Sequence, residues 1–131
     1  MRHSKLTLSL LPDEYAVCKL EPEHDVPEWA TRDAFWSVTK TRDELSVVCP
    51  EGQVPENIKA ESGWRILEVE SPLEFSMTGV INSLTKPLAC SKISVFVIST
   101  YLTDYLLIHS KNIESAINVL RAQGHKINHE I

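Results

Sequence analysis

The chain has 131 residues and a formal net charge of −5. Its hydrophobic content of 43%, beside 24% charged residues, is typical of a globular protein, and no apolar run reaches the length of a membrane span. Residues 1–71 carry 8 basic against 14 acidic side chains and residues 72–131 carry 5 against 4, so no basic stripe offers a surface to a nucleic acid.

The N-terminus does not predict an export signal. Its basic residues precede an apolar stretch, but Thr and Ser interrupt that stretch and no small-x-small cleavage site follows. The three cysteines, Cys18, Cys49 and Cys90, are odd in number, widely separated and without CxxC spacing. They favour neither a disulfide framework nor a thiolate zinc site, and their positions are typical of buried small hydrophobic residues. We therefore expect a cytoplasmic protein that has no contact with membranes.

The N-terminal half is predicted to follow the order βαββαβ, with helices reduced to short segments. Its first helical segment is at most one turn, and its second is a short helix that begins near Pro55. The predicted strands are 15–20, 35–40, 45–49 and 64–69, and the helical segments are 27–30 and 54–60.

The C-terminal half repeats this order in full. A strand at 73–77 leads to a helix that opens at Gly79, and Pro87 is expected to kink or end this helix. A buried strand at 93–99 and its hairpin partner at 105–109 follow. The second helix carries Ile113, Ala116, Ile117 and Leu120 at helical spacing, stops at Gly124 and precedes a last strand at 125–128.

The fold class expected from this order is α+β, with two ferredoxin-like βαββαβ units. Because short helices cannot cover a sheet face alone, we expect the units 1–71 and 72–131 to share one core across Ser71-Pro72. In a split βαβ arrangement the turn at Thr78-Gly79 and the turn at 100–104 would meet at one edge of the sheet.

Three blocks of sequence resemble a known family. They are FWSVTKTRDELSVVCPE, GWRILEVESPLEFSMTGVI and VFVISTYLTDYLLI. They are similar to the small bacterial tandem ACT proteins, and the C-terminal half also resembles the ACT modules of aspartate kinases and of the CASTOR-type arginine sensors of animals. The chain departs from the family at Ser71, where Gly commonly precedes Pro-Leu, and at 90–92, where the end of a helix usually includes Gly.

The resemblance implies modules that pair side by side and bind amino acids where the first strand-to-helix loop of one module faces a neighbour. It implies a homodimer and a free amino acid as the partner, with no cofactor. The positions that match the family's ligand site are Met77, Thr78, Gly79, Val80, Thr100, Tyr101, Thr103 and Asp104.

The chemistry of these residues suits an amino acid. The start of a helix at Gly79 presents unpaired N–H groups and a partial positive charge to an α-carboxylate, and Asp104 could neutralise a cation. Each residue also has a purely structural interpretation: Gly79 could serve a turn that needs a positive φ, Asp104 could bond backbone N–H groups, and Tyr101 could cover the edge of the core.

Other candidate chemistry is weaker. His125 and His129 lack further ligands for a zinc site, and we expect them to be surface histidines near the terminus. No nucleophile, base and orienting group can be assembled into an active site. We therefore expect a non-catalytic regulatory or sensor protein, and the alternative is a protein–protein interaction module that has this fold and no ligand.

Overall fold

The computed structural model describes residues 5–70 and 79–129. The chain divides into two compact units: Asp13–Trp64, here called the N-terminal unit, and Met1–Pro12 together with Arg65–Ile131, here called the C-terminal unit. The division predicted at Ser71-Pro72 differs from this one and falls outside the described residues, as does the strand predicted at 73–77.

Eight strands and two α-helices lie in the described residues. The strands are β1 (Thr7–Leu10), β2 (Tyr15–Leu20), β3 (Ser37–Lys40), β4 (Leu45–Pro50), β5 (Lys59–Val69), β6 (Phe96–Ser99), β7 (Asp104–His109) and β8 (Lys126–Asn128). The helices are α1 (Val80–Cys90) and α2 (Ile113–Ala122), and short 3₁₀ turns occupy Glu28–Ala30, Glu51–Gln53 and Ser110–Asn112.

The N-terminal unit has the ferredoxin-like strand order β3-β4-β2-β5, and its neighbouring strands are antiparallel. Alternate side chains of β2 and β4 form an apolar cluster within the unit. The helix predicted at 54–60 is wrong: a 3₁₀ turn ends at Gln53, Val54 is extended, and β5 begins at Lys59. The segment between these elements is too short to hold a helix against the pairing of β5 with β2.

The C-terminal unit has the strand order β6-β7-β5-β1-β8. Here β5 takes the place of the first strand of βαββαβ among the described residues, and β1 lies between β5 and β8. β1 pairs antiparallel with β5, where Leu8 lies opposite Val69, and parallel with β8, where Leu8 lies opposite Ile127. β1 therefore adds a strand to the sheet of the C-terminal unit, which the sequence did not predict.

Both helices of the C-terminal unit have the amphipathic spacing expected of them. Leu84 and Leu88 of α1 are fully buried, as are Ala116 and Leu120 of α2. They pack in one apolar cluster with strand residues of the same unit, among them Leu8, Leu67, Leu106 and Ile108. The two apolar clusters described here each lie within one unit, and the core shared between the halves stays a prediction.

Of the two effects predicted for Pro87, a kink or an end of α1, the structure contradicts the second. Pro87 lies inside the helix, which continues to Cys90. The N–H of Ile93 then bonds the carbonyl of Leu88 at 2.9 Å, and Lys92 takes a left-handed conformation with φ of 62°. A left-handed conformation normally favours Gly. In this chain Lys92 adopts it, within the segment 90–92 where the family usually has Gly.

Two further expectations about burial need correction. β6 is not a buried strand: Phe96, Val97 and Ile98 are half-buried and Ser99 is exposed, because among the described strands β6 pairs only with β7. Cys18 and Cys49 are buried, as predicted, but Cys90 at the end of α1 is exposed. A hydrogen bond with Cys18 and, after it, burial raise the pKa of Cys49, so this thiol stays protonated.

Candidate functional site

A tight turn joins β6 to β7 and holds four of the predicted site residues. The N–H of Thr100 donates to the carbonyl of Thr103 at 2.8 Å, and the hydroxyl of Thr100 donates to the same carbonyl at 3.1 Å. The N–H of Thr103 donates back to the hydroxyl oxygen of Thr100 at 3.4 Å. The turn is thus closed by the backbone and hydroxyl of Thr100 and by the backbone of Thr103.

Thr103 anchors this turn to the strand that leads toward α1. Its side chain is 3% exposed, and its hydroxyl donates a 2.8 Å hydrogen bond to the carbonyl of Val69, the last residue of β5. Val69 is the point at which β5 ends, so the bond fixes the turn at this end of the strand. The turn is therefore held at the carboxyl end of β5.

Asp104 begins β7 directly opposite Ser99, the last residue of β6. One carboxylate oxygen accepts a 2.6 Å hydrogen bond from the Ser99 hydroxyl, and the residue remains partly exposed. The bond orients the carboxylate without neutralising it. The sequence did not single out Ser99, although a Ser–x₄–Asp spacing across a tight turn places these residues opposite each other.

The tip of the turn projects into solvent. Tyr101 is 79% exposed and Leu102 is 54% exposed. Tyr101 is therefore a surface residue of this unit and does not cover its core.

Gly79 and Val80 lie at the start of α1, and Met77 and Thr78 fall outside the described residues. Gly79 has φ of 77°, a left-handed conformation that favours glycine, and its carbonyl accepts the first helical bond from the N–H of Ser83 at 2.8 Å. Val80 is half-buried against the apolar cluster of the unit. The positive φ accounts for the glycine by itself, whether or not a ligand approaches it.

His125 is buried in the C-terminal unit, which the sequence did not predict. It is 6% exposed, which corrects the expectation of a surface histidine, and its Nδ1 accepts a 3.1 Å hydrogen bond from the N–H of Leu6. Burial lowers the pKa of His125, the backbone of Ser83 raises it, and the charge of Lys5 lowers it further, with a net lowering. His129 is half-buried and lies 3.9 Å from a carboxylate oxygen of Glu114.

A second pair of polar groups lies on adjacent strands of the same unit. The hydroxyl of Tyr105 on β7 donates to a carboxylate oxygen of Glu68 on β5 at 3.4 Å. Burial raises the pKa of Tyr105, and the Glu68 carboxylate raises it further. This pair ties β7 to β5 at the residue that directly follows Asp104.

The described part of the chain contains no cluster of three or more His, Cys, Asp or Glu residues suited to a metal ion. None of its helices is long and apolar enough to cross a membrane. The structure thus brings together the turn at 100–104 and the end of β5, with the start of α1 in the same unit. The contact of Gly79 and Val80 with that turn stays a prediction.

Two family models match the chain in succession. Residues 13–57 match a model described as an N-terminal domain, and residues 59–122 match the model of the ACT domain. The first match ends at residue 57 and the second begins at residue 59, where β5 begins. The division between the two compact units lies further along the same strand, between Trp64 and Arg65.

The chain is similar to proteins from bacteria and animals. A crystal structure of protein Atu0741 from Agobacterium tumefaciens superposes with a TM-score of 0.93 at 32% identity, covering 98% of this chain and 96% of that one. The bovine protein named cytosolic arginine sensor for mTORC1 subunit 1 is 29% identical over 101 residues, which are 69% of this chain. This chain spans only 31% of the length of that relative.

The fold is also that of regulatory domains of aspartate kinase. The ligand-free regulatory subunit from Thermus thermophilus has a TM-score of 0.60 at 10% identity, covering 88% of this chain and 95% of that one. The ferredoxin-like strand order of the N-terminal unit, the βαββαβ order from β5 to β8, the match to the ACT model and the relative that aligns over nearly the whole length agree with each other. The chain belongs to the ACT domain family.

Proposed function

We propose that this protein is a non-catalytic sensor or regulatory protein that binds a free amino acid at one edge of its C-terminal unit. The binding edge would be formed by the end of β5, the start of α1 and the turn at 100–104. The observation that carries the proposal is the 2.8 Å bond from Thr103 to Val69, because it holds the turn beside the strand that leads toward α1.

The two ends of a zwitterion would meet different groups at this edge. The N–H groups of the first turn of α1 and its partial positive charge suit the α-carboxylate, and Gly79 carries no Cβ to obstruct a close approach. Asp104, oriented by Ser99, suits the α-ammonium or a cationic side chain. Arginine is the first ligand to test, because the bovine relative is named an arginine sensor.

The proposal includes a homodimer in the cytoplasm. The edge of β6 that faces away from β7 has no partner among the described strands, and its Phe96 and Ile98 are half-buried, so a second copy could cover it. Free Cys18, Cys49 and Cys90 suit a reducing compartment. The bovine relative is named cytosolic.

A second candidate function is an interaction module without a small ligand. The exposed Tyr101 and Leu102 favour it, because an aromatic and an aliphatic side chain at a turn tip are typical contacts for another protein. In that case Asp104 and Ser99 would serve only to close the hairpin.

A thermal-shift screen of the full-length protein against the twenty amino acids separates the two functions. A ligand present at about 100 times its dissociation constant should raise the free energy of unfolding by about 2.7 kcal/mol. We expect one amino acid, or one chemically related set, to raise the melting temperature. A flat screen at millimolar concentrations would contradict amino-acid binding and favour the interaction module.

A further inference from the structure

His125 lies where three elements of the C-terminal unit meet. It immediately precedes β8, its Nδ1 accepts the N–H of Leu6 just before β1, and its ring interacts with the backbone of Ser83 in α1. The backbone of Ser83 raises the pKa of the ring, which is the effect of a carbonyl that faces an imidazole N–H. With Nδ1 as an acceptor, that proton must lie on Nε2.

Pro87 explains why the Ser83 carbonyl is available. In an α-helix this carbonyl would accept the N–H of the residue four positions later, and Pro87 has no N–H. His125 thus interacts with the one carbonyl that the proline leaves without its helical donor. Pro87 and His125, 38 residues apart in the chain, are thus related through the carbonyl of Ser83.

Both backbone polar groups of Leu6 are hydrogen-bonded. Its N–H donates to His125, and its carbonyl accepts the N–H of Lys126 at 2.9 Å. Lys5, the residue before it, donates from Nζ to the carbonyl of Gln123 at 3.0 Å. The two residues before β1, Lys5 and Leu6, are therefore held by hydrogen bonds to Gln123, His125 and Lys126.

The charges near the ring give little support to a protonated imidazole. Lys5 is the side chain whose charge acts on the ring, and it opposes protonation. The charged side chains of α1, α2, β5 and β8 are Lys86 of α1, Glu114 and Arg121 of α2, Lys59, Glu61, Arg65 and Glu68 of β5, and Lys126 of β8, and Glu70 directly follows β5. Glu114 faces His129 instead, at 3.9 Å.

We propose that His125 is a proton-sensitive latch that joins the start of β1 to the first turns of α1, and that its protonation releases the Leu6 end of β1. A proton on Nδ1 removes the only acceptor that the ring offers to the Leu6 N–H and places two N–H donors face to face. The bond to Ser83 survives, so the release begins at β1 and not at α1. This inference goes beyond the proposed function and does not depend on a ligand.

Nuclear magnetic resonance of the full-length protein tests the latch in two steps. Imidazole nitrogen spectra at about pH 7.5, where an ordinary histidine is neutral, should show His125 with its proton on Nε2. A proton on Nδ1, or a charged ring at that pH, would overturn the proposal.

Amide exchange then measures the release. As the pH falls below about 6.5, the protection factor of the Leu6 amide should drop by a factor approaching ten for each pH unit, while Leu107 in β7 keeps its protection. In His125→Asn the side-chain oxygen can accept the Leu6 N–H but does not titrate, so this extra drop should disappear. A matched change at an exposed histidine, His24→Asn, should leave it unchanged. An equal drop in His125→Asn, or a drop shared by Leu107, would overturn the latch.

Pro87→Ala tests the contact with α1 separately. Alanine supplies an N–H that competes for the Ser83 carbonyl, and the loss of that acceptor should lower the pKa of His125 further. The titration of the His125 ring signals measures this shift. An unchanged titration midpoint would show that Ser83 is not part of the latch.

Discussion

The hydroxyl of Thr103 donates a 2.8 Å hydrogen bond to the carbonyl of Val69, and this bond joins the turn between β6 and β7 to the end of β5. The two residues are 34 positions apart in the chain. The same bond links two elements of the C-terminal unit and holds the turn that forms one part of the candidate ligand site. A change at Thr103 should therefore affect both stability and binding.

Thr103→Val replaces the hydroxyl with a methyl group of similar size and leaves the Val69 carbonyl without its donor. We expect a loss of about 1–3 kcal/mol in the free energy of unfolding, which urea denaturation measures. Thr103→Ser keeps the hydroxyl and should lose less. If Thr103→Val unfolds at the same urea concentration as the wild type, the bond contributes nothing to the stability of the protein.

Lys92→Gly should stabilise the protein. Lys92 has φ of 62°, where a side chain costs about 1–2 kcal/mol and glycine carries no such penalty. After the greater entropy of glycine in the unfolded chain is included, we expect a gain of about 0.5–1 kcal/mol, visible as a higher melting temperature. Ser91→Gly, at φ of −94°, is the matched control and should destabilise. A gain in the control equal to that of Lys92→Gly would mean that the conformation of Lys92 is not the cause.

The pH dependence of stability should contain a contribution from His125. Burial lowers its pKa in the folded protein, so the unfolded chain binds the proton more readily. The contribution is complete above the unfolded pKa of about 6.5 and is lost as the pH falls, with a limiting slope of about 1.4 kcal/mol per pH unit. Denaturation of wild type and His125→Asn across this range measures the difference. A difference that does not change with pH would mean that His125 titrates alike in both states.

The order of elements could be predicted from the sequence, because hydrophobic spacing and turn residues are local signals. The spacing of Leu84 and Leu88 and the stop at Gly124 are examples that the structure confirms. β1 was missed because its short polar-interrupted sequence forms a strand only between two partners more than fifty residues away.

The candidate site could be predicted only in part. The turn at 100–104 is local, and the structure has it where the sequence predicts a hairpin. His125 accepts the N–H of Leu6, 119 positions away, and no local sequence pattern predicts that contact. Ser99 was missed because its bond to Asp104 depends on the register of β6 against β7.

The most direct test of amino-acid binding is calorimetric titration of wild type and Asp104→Asn with the amino acid that gives the largest thermal shift. Asn keeps the size of Asp and can still accept the Ser99 hydroxyl, but it removes the charge, so the affinity should fall about tenfold or more with little change in stability. Gly79→Ala is the companion change at the start of α1, where φ is 77°. Equal affinity in wild type, Asp104→Asn and Gly79→Ala would contradict a ligand site at this edge of the C-terminal unit.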